Sequence, residues 1–139
     1  MTVMIDSNII IDALRPNPEF EADAKMMFQL IWQDKVIPYL CANSLTDVFY
    51  VLRKVQGAEK AKKTVANLIM AVKVAPLTES DCLMALALPI NDFEDAIIAV
   101  CAQKINADCI ISRDEKFIKA KTDVEVITPK LLIERLSEQ

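Results

Sequence analysis

The chain has no histidine and only one glycine, Gly57, among its 139 residues. Without an imidazole there is no histidine general base, no Ser-His-Asp triad and no His-ligated zinc. One glycine cannot build a P-loop or a G-x-G-x-x-G turn, so nucleotide-phosphate cradles of those kinds are excluded. The four cysteines (Cys41, Cys82, Cys101, Cys109) show no C-x-x-C spacing and mostly sit in apolar runs. They read as reduced core residues rather than a zinc site or disulfide framework. No apolar run reaches the roughly 18 residues that span a bilayer. The N-terminus MTVMIDSN carries Asp6 and no basic leader, so no signal peptide is expected and a cytoplasmic location follows by default. Carboxylates, hydroxyls, Lys and Arg remain for chemistry, and an oxygen-only donor set suits magnesium or manganese.

Hydrophobic residues make up 53% of the sequence, enough for a packed core, and 1–139 is most simply one domain. No internal repeat, linker or low-complexity tract interrupts it. Apolar, β-branched runs predict strands at Thr2–Ile5, Val36–Leu40, Val72–Ala75, Asp108–Ile111 and Val124–Ile127. Helices are expected over Ile9–Leu14, Glu19–Gln33, a stretch opening at Ser44, Ala58–Ala71, Glu79–Leu88, Asp92–Lys104, Glu115–Lys119 and Lys130–Ser137. Ser7 or Asn8 would cap the first of these, with Pro16 and Pro18 ending it. Strands alternating with helices predict an α/β fold, a parallel sheet covered on both faces. In such sheets function collects beyond the carboxyl ends of the strands.

The stretch Asn91–Asp114 organises the chain. Asp92, Glu94 and Asp95 stand just before the apolar run Ala96–Ala102, and Asp114 stands just after Cys109–Ile111. Asp6 likewise ends the first strand, where an acid is costly unless solvated or paired. If the first and fourth strands are neighbours, Asp6 and Asp114 share one crevice. Each acid also has an ordinary explanation. Asp6 and Asn8 suit a helix cap, and Ser44-Leu-Thr-Asp47 resembles a capping box, although Asp is short for that role. Asp92 and Asp95 share a helix face and could merely complement the helix dipole. Asn91 with Glu94 would form the cap, leaving Asp92 and Asp95 free, with Asp95 the deeper of the two. Asp114 could be a turn acid, and Ser112 an oxygen ligand or a turn hydroxyl.

Carboxylates drawn together repel one another, and a divalent cation reverses that penalty. The chemistry this suits is phosphodiester hydrolysis, in which metal ions activate a water and stabilise the leaving oxygen without any histidine. The formal net charge of −4 looks unfavourable for a nucleic-acid enzyme. With Asp6, Asp47, Asp92, Asp95 and Asp114 neutralised by metal, 16 basic residues face 15 acidic ones, taken from the 20 in the sequence. Arg15, Arg113, Lys116 and Lys119 lie near the acidic turns, and Arg113, Lys116 and Arg15 are candidates for holding phosphates. The run Lys60, Lys62, Lys63 reads as a solvated helix face.

With these residues placed, the chain resembles the PIN-domain family of ribonucleases, including VapC-like toxins of toxin–antitoxin pairs. The likeness rests on V-M-I-D-S-N, S-L-T-D-V-F-Y, D-F-E-D-A-I-I-A-V-C-A and I-I-S-R-D-E-K-F, in that order along nearly the whole chain. It implies a three-layer α/β/α sandwich with a central parallel sheet ordered 3-2-1-4-5 and frequent homodimers. It also implies Mg²⁺- or Mn²⁺-dependent cleavage of single-stranded RNA by Asp6, Asp47, Asp95 and Asp114, with Asp92 as a fifth metal-binding acid. An antitoxin protein would be the partner if the chain is a toxin. Many relatives carry Glu at the place of Asp47 and Thr at that of Ser112. The shorter Asp47 bears on one metal position, whereas Ser112 keeps the hydroxyl.

Two other readings stay open. A Mg²⁺-dependent phosphatase-like enzyme would want a second Asp two residues after the first, where Asn8 stands. A catalytically silent domain of the same fold would use its acids only to bind a partner.

Overall fold

Each short apolar run of the sequence becomes a buried parallel strand, and the amphipathic stretches between them become the covering helices. The computed structural model describes residues 1–15 and 17–138, so Pro16, expected to help end the first helix, lies outside the described residues. Five strands, β1 (Thr2–Ile5), β2 (Ile37–Cys41), β3 (Lys73–Ala75), β4 (Cys109–Ile111) and β5 (Val126–Ile127), form one sheet ordered β3-β2-β1-β4-β5. All four pairings are parallel. This is the expected α/β sheet in the expected 3-2-1-4-5 order.

The helices are α1 (Ser7–Leu14), α2 (Glu21–Trp32), α3 (Ser44–Gln56), α4 (Ala58–Ala71), α5 (Glu79–Leu86), α6 (Phe93–Lys104), α7 (Glu115–Lys119) and α8 (Pro129–Ser137). Side chains alternate across the strands, and the helices divide accordingly. Val3, Ile5, Cys109 and Ile111 face a core built with α1, α2, α3, α4 and α8. Met4, Cys41, Ala75 and Ile110 face a second core built with α5, α6 and α7. Met4, Ile98 and Ile110 are fully buried, each worth roughly 2 kcal/mol of apolar transfer. Helix α6 is buried without interruption from Asp95 to Ala102, which explains why its sequence is apolar on every side.

Three local expectations are corrected. Ser7 and Asn8 do not cap α1; its N-cap is Asp6, which makes no side-chain cap bond there. Nor does Ser44 cap α3: Asn43 precedes that helix, and the buried Ser44 hydroxyl has no partner. The last strand is two residues rather than four, because β5 pairs only with Ile110 and Ile111 at the edge of the sheet. Thr78, in contrast, closes a full capping box with Asp81 at the start of α5.

Exposed large apolar side chains gather on the helices, with Tyr50, Val55, Ile69 and Met70 on α3 and α4, and Leu83, Met84 and Leu86 on α5. Among the described residues no helix is long and apolar enough to cross a membrane. The order of the sheet reverses at β1 and β4, and the backbone N–H of Asp6 donates to the Ile111 carbonyl at 2.9 Å. The carboxyl ends of these two central strands therefore stand side by side, at the switch point where open parallel sheets bind ligands.

Candidate metal centre

Asp6 leaves the end of β1 with only 4% of its surface exposed. Its Oδ2 accepts a hydrogen bond from the Ser112 hydroxyl at 2.8 Å and one from the Asn8 amide at 3.3 Å. Ser112 is fully buried, and its Oγ accepts from the Asp114 backbone N–H at 3.1 Å and from Asn8 Nδ2 at 3.4 Å. One hydroxyl thus ties the acid of β1 to the turn that carries Asp114. Burial pushes the Asp6 carboxyl above the usual carboxylate range, against the Ser112 hydrogen bond, and repulsion from Asp114 adds to the rise. The Asn8 Oδ1 is buried and has no hydrogen-bond partner among the described residues.

Asp92, not Asn91, is the N-cap of α6, and its Oδ1 accepts from the Asp95 backbone N–H at 3.1 Å. The expected Asn91–Glu94 cap does not form, and Asp92, expected to be free of that duty, takes the cap instead. Asp114 likewise caps α7, accepting from the Lys116 backbone N–H at 3.0 Å. Asp95 is different: it is 7% exposed, and its carboxyl is pushed up to about 7 by burial and by repulsion from Asp92, Asp6 and Asp114. Asp92, Asp95 and Asp114 line a cleft of about 680 Å³ together with Lys116 and Lys119.

Asp47 lies in the first turn of α3 and takes no part in a capping box. Its neighbour is Glu94, which the sequence reading had assigned to capping. Glu94 is exposed as a residue, and its carboxyl accepts from the Ser7 hydroxyl at 3.3 Å in a partly buried contact. Burial, then the adjacent Asp47 carboxylate and Asp6, push Glu94 up to about 7. Glu94 is a member of this acidic cluster that the sequence reading leaves out. Three acids in four residues, of which a cap uses one, were the available signal.

The cations fare unevenly. Arg113 points away from the cleft: its Nε donates to Asp12 Oδ2 at 2.5 Å and its Nη2 to Asp12 Oδ1 at 3.2 Å. The guanidinium also lies 4.0 Å from the centre of the Phe20 ring. As a phosphate contact Arg113 is therefore already committed elsewhere. Arg15 stands just past the far end of α1 from Asp6, about 12 Å along the helix axis. Lys116 is the candidate cation that borders the acids, joined there by Lys119.

The electrostatic links make Asp6 the hub. It is felt by Asp95 and Glu94 and itself feels Asp114, while Asp47 joins through Glu94. Among the described residues none of these five acids has an ion-pair partner. No group of three or more Asp, Glu, Cys or His side chains among those residues is arranged to hold a metal ion as it stands. The donor set nevertheless fits a hard divalent cation. It is all oxygen, burial holds Asp6, Glu94 and Asp95 above the usual carboxylate range, and Asn8 Oδ1, without a partner among the described residues, adds an acceptor near Asp6.

A consequence for stability follows with a definite sign. An acid whose pKa is higher folded than unfolded stabilises fully below its ordinary value and loses that contribution as pH rises through its folded value. For Asp95 and Glu94 the window runs from their ordinary 3.8 and 4.5 to about 7. In EDTA the protein should lose on the order of 1–2 kcal/mol between pH 5 and pH 8, after allowance for solvent screening. Thermal unfolding followed by circular dichroism across that range reads it directly. A melting temperature that climbs with pH would mean the acids are not gathered.

A family model described as PIN domain matches residues 2–116. No curated protein sequence matches the chain. Among solved structures, the chain is similar to VapBC2 from Rickettsia felis bound to a promoter DNA fragment, with 15% identity and a TM-score of 0.70. That match covers 92% of this chain and 98% of the other. VapBC-1 from nontypeable Haemophilus influenzae matches at 22% identity and a TM-score of 0.67, over 94% and 99% of the two chains. The Mycobacterium tuberculosis toxin VapC20, described as cleaving the sarcin–ricin loop, matches at 17% identity and 0.66, over 83% and 92%. At these identities the likeness establishes the fold.

Proposed function

Because this chain belongs to the PIN-domain family and has the fold of VapC toxins, we propose that it is a Mg²⁺- or Mn²⁺-dependent endoribonuclease acting on single-stranded RNA. One observation carries the reading. Acids from β1, α3, α6 and the β4–α7 turn come near one another, and burial together with their mutual repulsion pushes Asp95 and Glu94 up to about 7, with no Lys or Arg paired to them among the described residues. A structural cluster would be expected to recruit a cation from the protein itself. This one leaves that position to an ion from solution.

In this proposal Asp6, Asp47, Asp95 and Asp114 are the catalytic acids, and Asp92 is a fifth metal-binding acid. Glu94 joins them beside Asp47. When bound, the ion lowers the pKa of an attacking water and stabilises the departing oxygen. Asp92 and Asp114 each spend one oxygen on a cap, which fixes the orientation of the other. Ser112 and Asn8 hold Asp6 in a single rotamer by donating to the same oxygen. Lys116 and Lys119, at the rim of the cleft, supply charge for the phosphates on either side of the scissile bond.

An antitoxin partner belongs to the same proposal, since the solved relatives include a toxin–antitoxin complex from Klebsiella pneumoniae, and the homodimer belongs to it on the family resemblance alone. The deciding experiment incubates the purified chain with end-labelled single- and double-stranded RNA in EDTA, Mg²⁺ or Mn²⁺. Internal cleavage of the single strand in Mn²⁺ and none in EDTA is expected. Equal, absent cleavage in all three would leave the silent interaction domain as the better account.

A further inference from the structure

Helix α1 touches the β4–α7 turn at two consecutive residues, using side chains one helical turn apart. Asn8 and Asp12 are at i and i+4 and share a face. Asn8 Nδ2 reaches Ser112 Oγ at 3.4 Å, and Asp12 takes Arg113 in a two-pronged pair at 2.5 and 3.2 Å. Asp114 is the next residue in the chain.

The Asp12 pair has the features of a fixed joint rather than a surface contact. Asp12 is 1% exposed, and its Oδ1 also accepts from Asn17 Nδ2 at 3.2 Å. Phe20 lies under the guanidinium at 4.0 Å. The planar fork of arginine supplies two parallel donors, which a lysine cannot. Neither charge is needed to close the core, since the neighbouring positions Ile9, Ile10 and Ile111 already do so.

We propose that Asp12 and Arg113 are positioning residues that lock the β4–α7 turn, and so set where the Asp114 carboxylate stands relative to Asp6. This deepens the nuclease reading and rests on it for its kinetic part only. Without the pair, the turn keeps the Ser112 N–H bond to the Ile127 carbonyl at 3.0 Å, the bonds of the Ser112 hydroxyl to Asp6, Asn8 and the Asp114 N–H, and the Asp114 cap on α7, but loses its only charged tie to α1 among the described residues. Asp114 would then sample several positions, and an active-site group misplaced by about 1 Å can cost about 100-fold in rate.

The test compares wild type, Asp12→Asn, Asp12→Glu and Arg113→Lys, each confirmed folded by circular dichroism and assayed well below its melting temperature. Expected for Asp12→Asn and Arg113→Lys is a 10- to 100-fold fall in kcat for single-stranded RNA with KM within about twofold. Asp12→Glu, which can re-form the pair, should recover part of it. Two readouts need no turnover: Mn²⁺ affinity by electron paramagnetic resonance, expected to weaken several-fold, and amide exchange of Ser112–Asp114, expected to quicken more than tenfold. An Arg113→Lys variant with raised KM and unchanged kcat would assign Arg113 to RNA phosphate and overturn the proposal. So would folded variants whose exchange, Mn²⁺ affinity and kcat all match wild type. If wild type cleaves no RNA, the nuclease reading falls, and exchange and Mn²⁺ affinity decide the positioning role by themselves.

Discussion

Asp6→Asn should lower Mn²⁺-dependent RNA cleavage by roughly 1,000-fold, about 4 kcal/mol of barrier, without lowering the melting temperature. The two halves of this result have separate causes. Asp6 is the acid whose charge both Asp95 and Glu94 feel and which itself feels Asp114, so it is the charge common to every side of the cluster. The fold, in contrast, gains from a neutral group there, because burial already disfavours the carboxylate. An Asn oxygen can still accept from Ser112, as Asp6 Oδ2 does at 2.8 Å. The new amide N–H₂ can then donate to Asn8 once that side chain turns its unpartnered Oδ1 inward. Single-turnover cleavage of a labelled oligonucleotide, beside a melting curve in EDTA, measures both halves. A variant within tenfold of wild type would remove Asp6 from the chemistry.

Arg113→Ala should cost the fold about 2–4 kcal/mol, the largest loss expected from any charged side chain of this protein. The reason is the charge left behind rather than the bond removed. Asp12, 1% exposed, would keep only Asn17 as a partner, and the contact with Phe20 would go too. Replacing both members of the pair, Asp12→Leu with Arg113→Leu, should restore most of the stability, since no lone buried carboxylate remains. Urea unfolding of the two single variants and the double variant forms the cycle. If Arg113→Ala costs under about 0.5 kcal/mol, the pair behaves as a surface contact, and Arg113 is free to meet RNA after all.

The layout of the sheet was legible because both signals it needs are local. Each buried run is short, β-branched and bounded by an acid, a proline or a cap, and the runs alternate with helical spacing. The strand order came from the family resemblance, not from spacing, and the pairing of β1 with both β2 and β4 agrees with it. Caps were harder. Asp92, Asn91 and Glu94 could each serve α6, and which one does depends on the angle at which the chain leaves Ile90, a tertiary property. Glu94 was lost to that ambiguity. Asp12 was lost for another reason: as the only charge in Ile9–Leu14 it signals burial with a partner, but the partner is 101 residues away. Arg113 reads as an RNA contact for the same cause, because Asp114 and Glu115 follow it in sequence while its partners in space are Asp12 and Phe20.

The outer strands of the sheet are only three residues long in β3 and two in β5. A strand that short offers another chain too few free amides to extend the ladder, so edge-on stacking into fibres is discouraged. Assemblies of this molecule should therefore be helix-mediated and side by side, using the apolar rows on α3, α4 and α5 that water now covers.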